Sequence, residues 1–271
     1  MCKRSTDDPL IRLFLDQYGL HLLQVPRESA VVGDFYVDDG RRVSPPGNMK
    51  YLLDPPPELP APKEGERMAD IEGVTSKGYS LEVGLGLLEG FLLAFGAGPL
   101  ALKVKTEYET KSVQSLRFRI TAPTRDSVDP FELGAALVGK KPLEDHPWWG
   151  EENHYYLATA VARTSSISVV AEEDGSAGVE VDVEALRVAG ASGGFTLESG
   201  SESEVVYKGD RPLAFGVELC ELSYDPSRRS FRLKAPEDVV RVRGPSADAP
   251  DELRLRAFIG GEDGDAFLEL A

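Results

Sequence analysis

An α+β fold is predicted for this chain: a single domain built on a twisted, mainly antiparallel sheet, flanked by short helices and followed by a short C-terminal tail. Three observations predict it. Two stretches, residues 102–120 and 154–187, each read as a pair of extended segments joined by a polar tip. A short amphipathic helix with clear start and stop signals opens the chain. No apolar run reaches the ~18 residues of a membrane-spanning helix, while 271 residues suffice for a sizeable core.

Taken in order, Asp8 stands as the N-cap of the first helix with Pro9 at its first position. Leu10, Ile11, Phe14, Leu15 and Tyr18 form its apolar face, and Gly19 ends it. Residues 20–25 and 30–37 read as short strands, broken at Pro26 and at Asp38-Asp39-Gly40. Residues 45–62 carry seven prolines and few apolar side chains, so a surface connection of polyproline character is expected there. Residues 80–98 are the most apolar segment. They read as one buried helix, weakened by Gly84, Gly86 and Gly90, or as a strand leading into a helix.

In the first hairpin-like stretch, Leu102, Val104, Thr106 and Tyr108 alternate with Lys103, Lys105, Glu107 and Glu109. Beyond a polar tip at 111–115, Leu116, Phe118 and Ile120 alternate with Arg117 and Arg119. Asp129-Pro130 then opens another short helix, and His146-Pro147-Trp148-Trp149-Gly150 is a loop. In the second stretch Val161, Ile167 and Val169 share a face with Arg163 and Ser165. After the acidic turn Glu172-Glu173-Asp174-Gly175, Val179, Val181 and Val183 alternate with Glu180, Asp182 and Glu184. A Gly/Ser-rich connection (190–204) leads to residues 205–225, read as strand, Lys208-Gly209-Asp210 turn, strand. Such alternation suits a half-buried hairpin in water, and equally a strand with one face in lipid and the other in a water-filled lumen.

Composition narrows the function classes. A net charge of −16 leaves no basic stripe to neutralise phosphates, so no nucleic-acid partner is expected. Two cysteines, Cys2 and Cys220, make no disulfide framework and point to a reducing cytosol. Cys220 reads as a small buried hydrophobe in an alternating strand. His21, His146 and His154 have no metal-site spacing, and no phosphate-binding, nucleophile-elbow or dinucleotide motif is present. No catalytic residue, cofactor or metal is expected, and the chain is not read as an enzyme. Cys2 is either an exposed thiol on a terminus or, beside Lys3-Arg4, an S-acylation site.

Several of these stretches carry a resemblance. The Lys208-Gly209-Asp210 turn followed by Pro212-Leu213-Ala214-Phe215-Gly216-Val217 resembles the end of the pore-forming domain of gasdermins. Tyr155-Tyr156-Leu157-Ala158-Thr159-Ala160-Val161 looks like the strand that opens that family's second membrane hairpin, and residues 102–120 before the Asp129-Pro130 helix look like its first. Cys2 ahead of a short amphipathic helix resembles the bacterial members. The likeness runs through residues 2–225 in order of elements. Two departures stand out: some forty residues follow Asp225 where animal gasdermins carry a whole inhibitory domain, and the acidic charge speaks against attachment through a broad basic surface.

The resemblance implies a pore-forming domain, 1–243, and a short autoinhibitory C-terminal peptide, 244–271. It implies a monomer in the cytoplasm that a protease activates, then a homo-oligomeric β-barrel in the inner membrane, killing the infected cell as antiphage defence. The membrane hairpins would use Leu102, Val104, Tyr108, Leu116, Phe118, Ile120, Val161, Ile167, Val169, Val179, Val181 and Val183, with Glu180, Asp182 and Glu184 toward the lumen. The composition of residues 237–250 is that of an exposed, cuttable loop. Within it the bond between Arg243 and Gly244 suits a trypsin-like or caspase-like protease, with Asp248 as the alternative. Leu253, Leu255, Phe258, Ile259, Phe267 and Leu268 give the tail an apolar surface with which to dock; otherwise the tail is a last edge strand. Cys2 would carry the acyl chain, a palmitoyl group on the family's pattern. The rival class is a soluble β-rich module that binds a protein or glycan and never enters lipid.

Overall fold

A computed structural model of the chain describes residues 9–38, 43–75, 79–94, 115–143, 148–149, 153–172, 195–199, 204–225, 230–234, 255–258 and 268–270. The predicted positions Cys2, Leu102, Val104, Tyr108, Val179, Val181, Val183, Arg243, Gly244, Asp248, Leu253, Ile259 and Phe267 lie outside them.

Helix α1 (Pro9–Tyr18) leads directly into strand β1 (His21–Arg27). Gly19 adopts φ 65° and lets the chain turn, its N–H donating to Leu15 O at 2.9 Å and Leu20 N–H to Phe14 O at 3.0 Å. Strands β2 (Asp34–Asp38) and β3 (Val43–Asn48) follow, then a single 3-10 turn at Met49–Tyr51 and β4 (Leu53–Asp54). Next come β5 (Lys63–Arg67), β6 (Ile71–Thr75) and helix α2 (Tyr79–Ala94). Beyond it lie β7 (Ser115–Ile120), β8 (Thr124–Ser127), helix α3 (Pro130–Ala136) and β9 (Lys141–Pro142). The chain continues as β10 (His154–Glu172), β11 (Phe195–Ser199), β12 (Glu204–Asp225), β13 (Ser230–Lys234), β14 (Leu255–Phe258) and β15 (Leu268–Leu270). Among the described residues thirteen strands join one antiparallel sheet, while β4 and β9 pair separately.

The sheet hangs on two long strands. β10 and β12 pair antiparallel from Tyr155↔Leu222 to Val170↔Glu204, interrupted by three register shifts. Each carries three short strands in tandem on its outer edge. β10 takes β2, then β8, then β7; β12 takes β13, then β1, then β11. The result is a proximal, a middle and a distal tier along the same spine. Right-handed strand twist accumulates over such lengths, and the shifts are where it is taken up.

Core packing follows the pleat. Phe35 and Val37 point to one side of β2, where Met49, Leu52, Leu53, Val128, Leu133, Leu137, Leu157 and Leu222 meet them. Tyr36 points to the other, among Leu23, Tyr156, Ala158, Val161 and Val217. Both faces of β2 are therefore buried. Helix α3 seals the first cluster, capped by Asp129, whose carboxylate accepts from Phe131 N–H at 2.7 Å. Helix α2 packs on β1, with Leu87, Leu88, Phe91 and Leu92 buried.

Four expectations need correction. Residues 45–62 are not a plain surface loop: the end of β3, the 3-10 turn and β4 lie within them, and Met49, Leu52 and Leu53 between the prolines are buried. Pro26 does not break the first strand; β1 runs through it with a register irregularity between Leu22 and Arg27. Lys208-Gly209-Asp210 is no turn but a wide bulge inside continuous β12, since Thr164↔Leu213 is followed by Ser166↔Lys208. Within the 190–204 connection, Phe195–Ser199 forms a strand, supported by the exposed edge of β12. The apolar run at 80–98 takes the helix alternative, as α2.

Candidate functional site

The distal tier gathers the described residues of the expected membrane hairpins. Ile167 pairs with Ile120 and Val169 with Phe118, and β6 extends the ladder through Ile71↔Ile120 and Gly73↔Phe118. Leu116, Phe118, Ile120, Ile167 and Val169 are all buried, while Arg117 and Arg119 on the opposite face of β7 are exposed. Val161 is placed differently. It lies in the middle tier, fully buried in the core cluster around Tyr36.

Between the tiers lies a polar joint. Thr164 Oγ1 accepts from Ser166 N–H at 3.0 Å and donates to Thr121 O at 3.1 Å; Thr121 N–H donates to Ser166 O at 3.2 Å. Next to it, Arg163 is a three-way clamp. Its Nε donates to Asp126 Oδ2 at 2.9 Å, Nη1 to Glu28 O at 3.1 Å, and Nη2 to Ala30 O. The β1–β2 loop, β8 and β10 are thereby fastened at one guanidinium, a group whose planar fork suits several oxygens at once. Asp126 is itself held, since its Oδ1 accepts from Gly65 N–H at 2.9 Å.

Two further ion pairs steady the same region. Asp70 accepts from Arg119 Nη2 at 2.6 Å and from Ala122 N–H at 2.8 Å, which fixes the β7–β8 turn where Ala122 sits at φ 46°. The Ala122 N–H, then the Arg119 guanidinium, hold its carboxyl below the usual carboxylate range. Glu218 accepts from Arg125 Nη2 at 2.6 Å, yet burial outweighs this partner and pushes its carboxyl up. Asp34 is raised by burial as well, against the pull of Val31 N–H and Arg27.

The tail takes the form of added strands. β14 pairs antiparallel with β1 through Leu22↔Phe258 and Leu23↔Ala257, and β15 pairs with β14 through Leu255↔Leu270, Arg256↔Glu269 and Ala257↔Leu268. Leu255, Phe258 and Leu268 thus lie on strands added at the free edge of β1, paired through the main chain.

Burial drives the His21 imidazole to a pKa of about 4, so it stays neutral, and its Nδ1 has no hydrogen-bond partner. The Cys220 thiol is buried and raised by that burial, so its reactive thiolate form is disfavoured. Among the described residues no group of three His, Cys, Asp or Glu could hold a metal. No described helix is long and apolar enough to cross a membrane, a statement that does not extend to strands.

The joint, the clamp and the close approach of Gly73 on β6 to the Phe118 ring escaped sequence reasoning. A signal existed for the last: a lone glycine inside a strand pattern marks close approach of another group. Arg163 gave a partial signal, because an arginine sharing a face with Val161, Ile167 and Val169 needs partners once that face is buried, but those partners are distant in sequence.

Three comparisons bear on this architecture. The profile of the Bacterial Gasdermin Family matches residues 20–231. The chain is similar to the Gasdermin bGSDM of a Vitiosangium species, 27% identical over 221 residues that cover 79% of this chain and 81% of that protein. It is also similar to the Gasdermin bGSDM of a Desulfuromonadales bacterium, 24% identical over 229 residues that cover 82% and 84%. Among solved structures, a bacterial gasdermin from Bradyrhizobium tropiciagri superposes with a TM-score of 0.66 at 17% identity, covering 86% of this chain and 93% of that one, a likeness of fold.

Proposed function

Because this chain belongs to the bacterial gasdermin family, we propose that it is an autoinhibited pore-former, released when a protease removes its C-terminal peptide. Family membership over residues 20–231 carries the reading. The strand architecture supplies a physical route. β7 and β10 reach Ser115 and Glu172 at the end of the distal tier, and residues 101–114 and 173–188 continue them in sequence. Each strand of a barrel wall needs ~9–11 residues. A lone hairpin in lipid would leave two unpaired backbone edges, so hairpins enter only as parts of a closed barrel made from many copies.

In that barrel Leu116, Phe118, Ile120, Ile167 and Val169 would exchange the protein interior for acyl chains. Glu180, Asp182 and Glu184 would line the water. The inactive chain is a cytoplasmic monomer; the cut chain assembles in the inner membrane and kills the infected cell. Its partners are a trypsin-like or caspase-like protease and membrane lipids. The switch is the pairing of β14 with β1. Two paired residues on β1, with β15 beside β3, make a modest interface, sufficient while the tether keeps the tail at high effective concentration and weak once residues 243–248 are cut.

The test replaces residues 243–248 with the site of an unrelated protease. Uncut protein should leave dye-loaded liposomes intact and cut protein should empty them; in cells, death should require both the protease and its site. Death from uncut protein, or intact liposomes after complete cutting, rules the switch out and leaves a β-rich binding module.

Acylation of Cys2 belongs to the same reading, with Lys3-Arg4 beside the headgroups. Intact-mass spectrometry of protein from a bacterial host should show an acyl adduct that Cys2→Ala lacks. One chain anchors only marginally, so assembly must supply the rest. An unmodified mass, together with full toxicity of the variant, removes this element.

A further inference from the structure

We propose that helix α1 is a second lock on the distal tier, distinct from the C-terminal strands and opened after them. The lock is one aromatic stack. Phe14 is completely buried, lies parallel to Phe118 of β7 at 6.0 Å between ring centroids, and meets Phe215 of β12 edge-on at 6.1 Å. Phe118 belongs to the distal tier and Phe215 to the middle tier. A single side chain of α1 therefore ties the hairpin strand to the core.

Gly73 shows how close the approach is. A Cβ at this position of β6 would stand 2.3 Å from Cζ of Phe118 and 2.9 Å from Cδ2 of Leu13. Only glycine lets β6 run beneath the Phe118 ring and the side of α1 together. Phe118 cannot turn its ring toward lipid while it is held between Phe14 and the floor at Gly73. The proposal rests on the pore reading, which requires that face of β7 to leave the protein interior.

The two locks act on different surfaces. The tail pairs with the free edge of β1 and lies beside β3, whereas α1 packs on β6, reaches Phe118 of β7 through Phe14, and touches the start of β1 and α2. Loosening α1 should therefore leave uncut protein closed and speed only the cut protein. Removing one aromatic stack should shorten the half-time of leakage about tenfold.

The experiment follows dye release from liposomes of phosphatidylethanolamine and phosphatidylglycerol after cutting at an engineered site in residues 243–248. The variants are Phe14→Leu, which keeps apolar bulk without the ring, and Gly73→Ala, which presses on the same stack from β6. Leu137→Ala is the control for general destabilisation, since this buried residue sits under α3 in the proximal cluster. Faster release by either stack variant, with parental rates for Leu137→Ala and no release from any uncut protein, supports the lock. Should either stack variant fail to fold, Phe14→Met, which also keeps apolar bulk without the ring, carries the test. If the cut parent leaks and the folded stack variants match it, or the control is accelerated as much as they are, the lock is overturned while the pore reading stands. If the cut parent itself releases nothing, both fall.

Discussion

Replacing Arg163 with alanine should lower the free energy of unfolding by about 3 kcal/mol, the range for removing one member of a buried charge network. The magnitude follows from what is left behind. Arg163 and Asp126 expose only 14% and 21% of their side chains. The substitution strands the part-buried Asp126 Oδ2 and Ala30 carbonyl without their donor, whereas water can replace the bond to exposed Glu28. Lysine should recover less than half of the loss, because a point charge on a flexible stem cannot serve three oxygens in fixed directions. Urea unfolding, combined with Asp126→Ala in a double-mutant cycle, measures the clamp itself. A loss within ~0.5 kcal/mol for Arg163→Ala is the ordinary result at a surface position, and would mean that the clamp holds nothing.

Acidification should cost the folded protein about 2 kcal/mol between pH 7 and pH 5, and His21→Leu should abolish most of that dependence. His21 is fully buried and its pKa falls from 6.5 to about 4 because burial disfavours the charged ring. The unfolded chain therefore takes up a proton near pH 6.5 that the folded chain refuses until near pH 4. Stability from this group is complete above pH 6.5 and is lost as pH falls through the window. Asp34 and Glu218 work in the opposite sense, since burial raises both and protonation relieves them. Parent and His21→Leu share both carboxyls, so the difference between the two proteins isolates the histidine. Parallel melting curves for parent and His21→Leu across this interval would assign the slope elsewhere.

Local pattern made part of this molecule legible. The α+β class and the antiparallel alternation follow from period-two hydrophobicity, a property each strand carries in its own residues. Gly19 ending α1 and Asp129-Pro130 starting α3 are equally local, because caps satisfy backbone groups a few residues away. The resemblance of the stretches around Val161 and Phe215 named the family before any contact was known.

Other features depend on partners distant in sequence. Leu116, Phe118, Ile120, Ile167 and Val169 alternate like any half-buried strand, and only the pairing of β7 with β10 brings them into one tier. Val161 shares their parity, yet two register shifts between it and Ile167 place it in a different tier, among core residues. Gly209–Pro212 has turn chemistry, but the neighbouring ladder turns it into a bulge. Arg163 shares a face with apolar neighbours in the strand pattern, and only the β1–β2 loop, arriving with two carbonyls, supplies the oxygens it needs there. Sequence alone determined which residues could line a sheet, where α1 ends and where α3 begins, because those preferences act over a few residues. Tertiary structure decided which tier each residue joined and which charges were clamped, because long-range pairing sets strand register and burial sets what a charge must find to remain there.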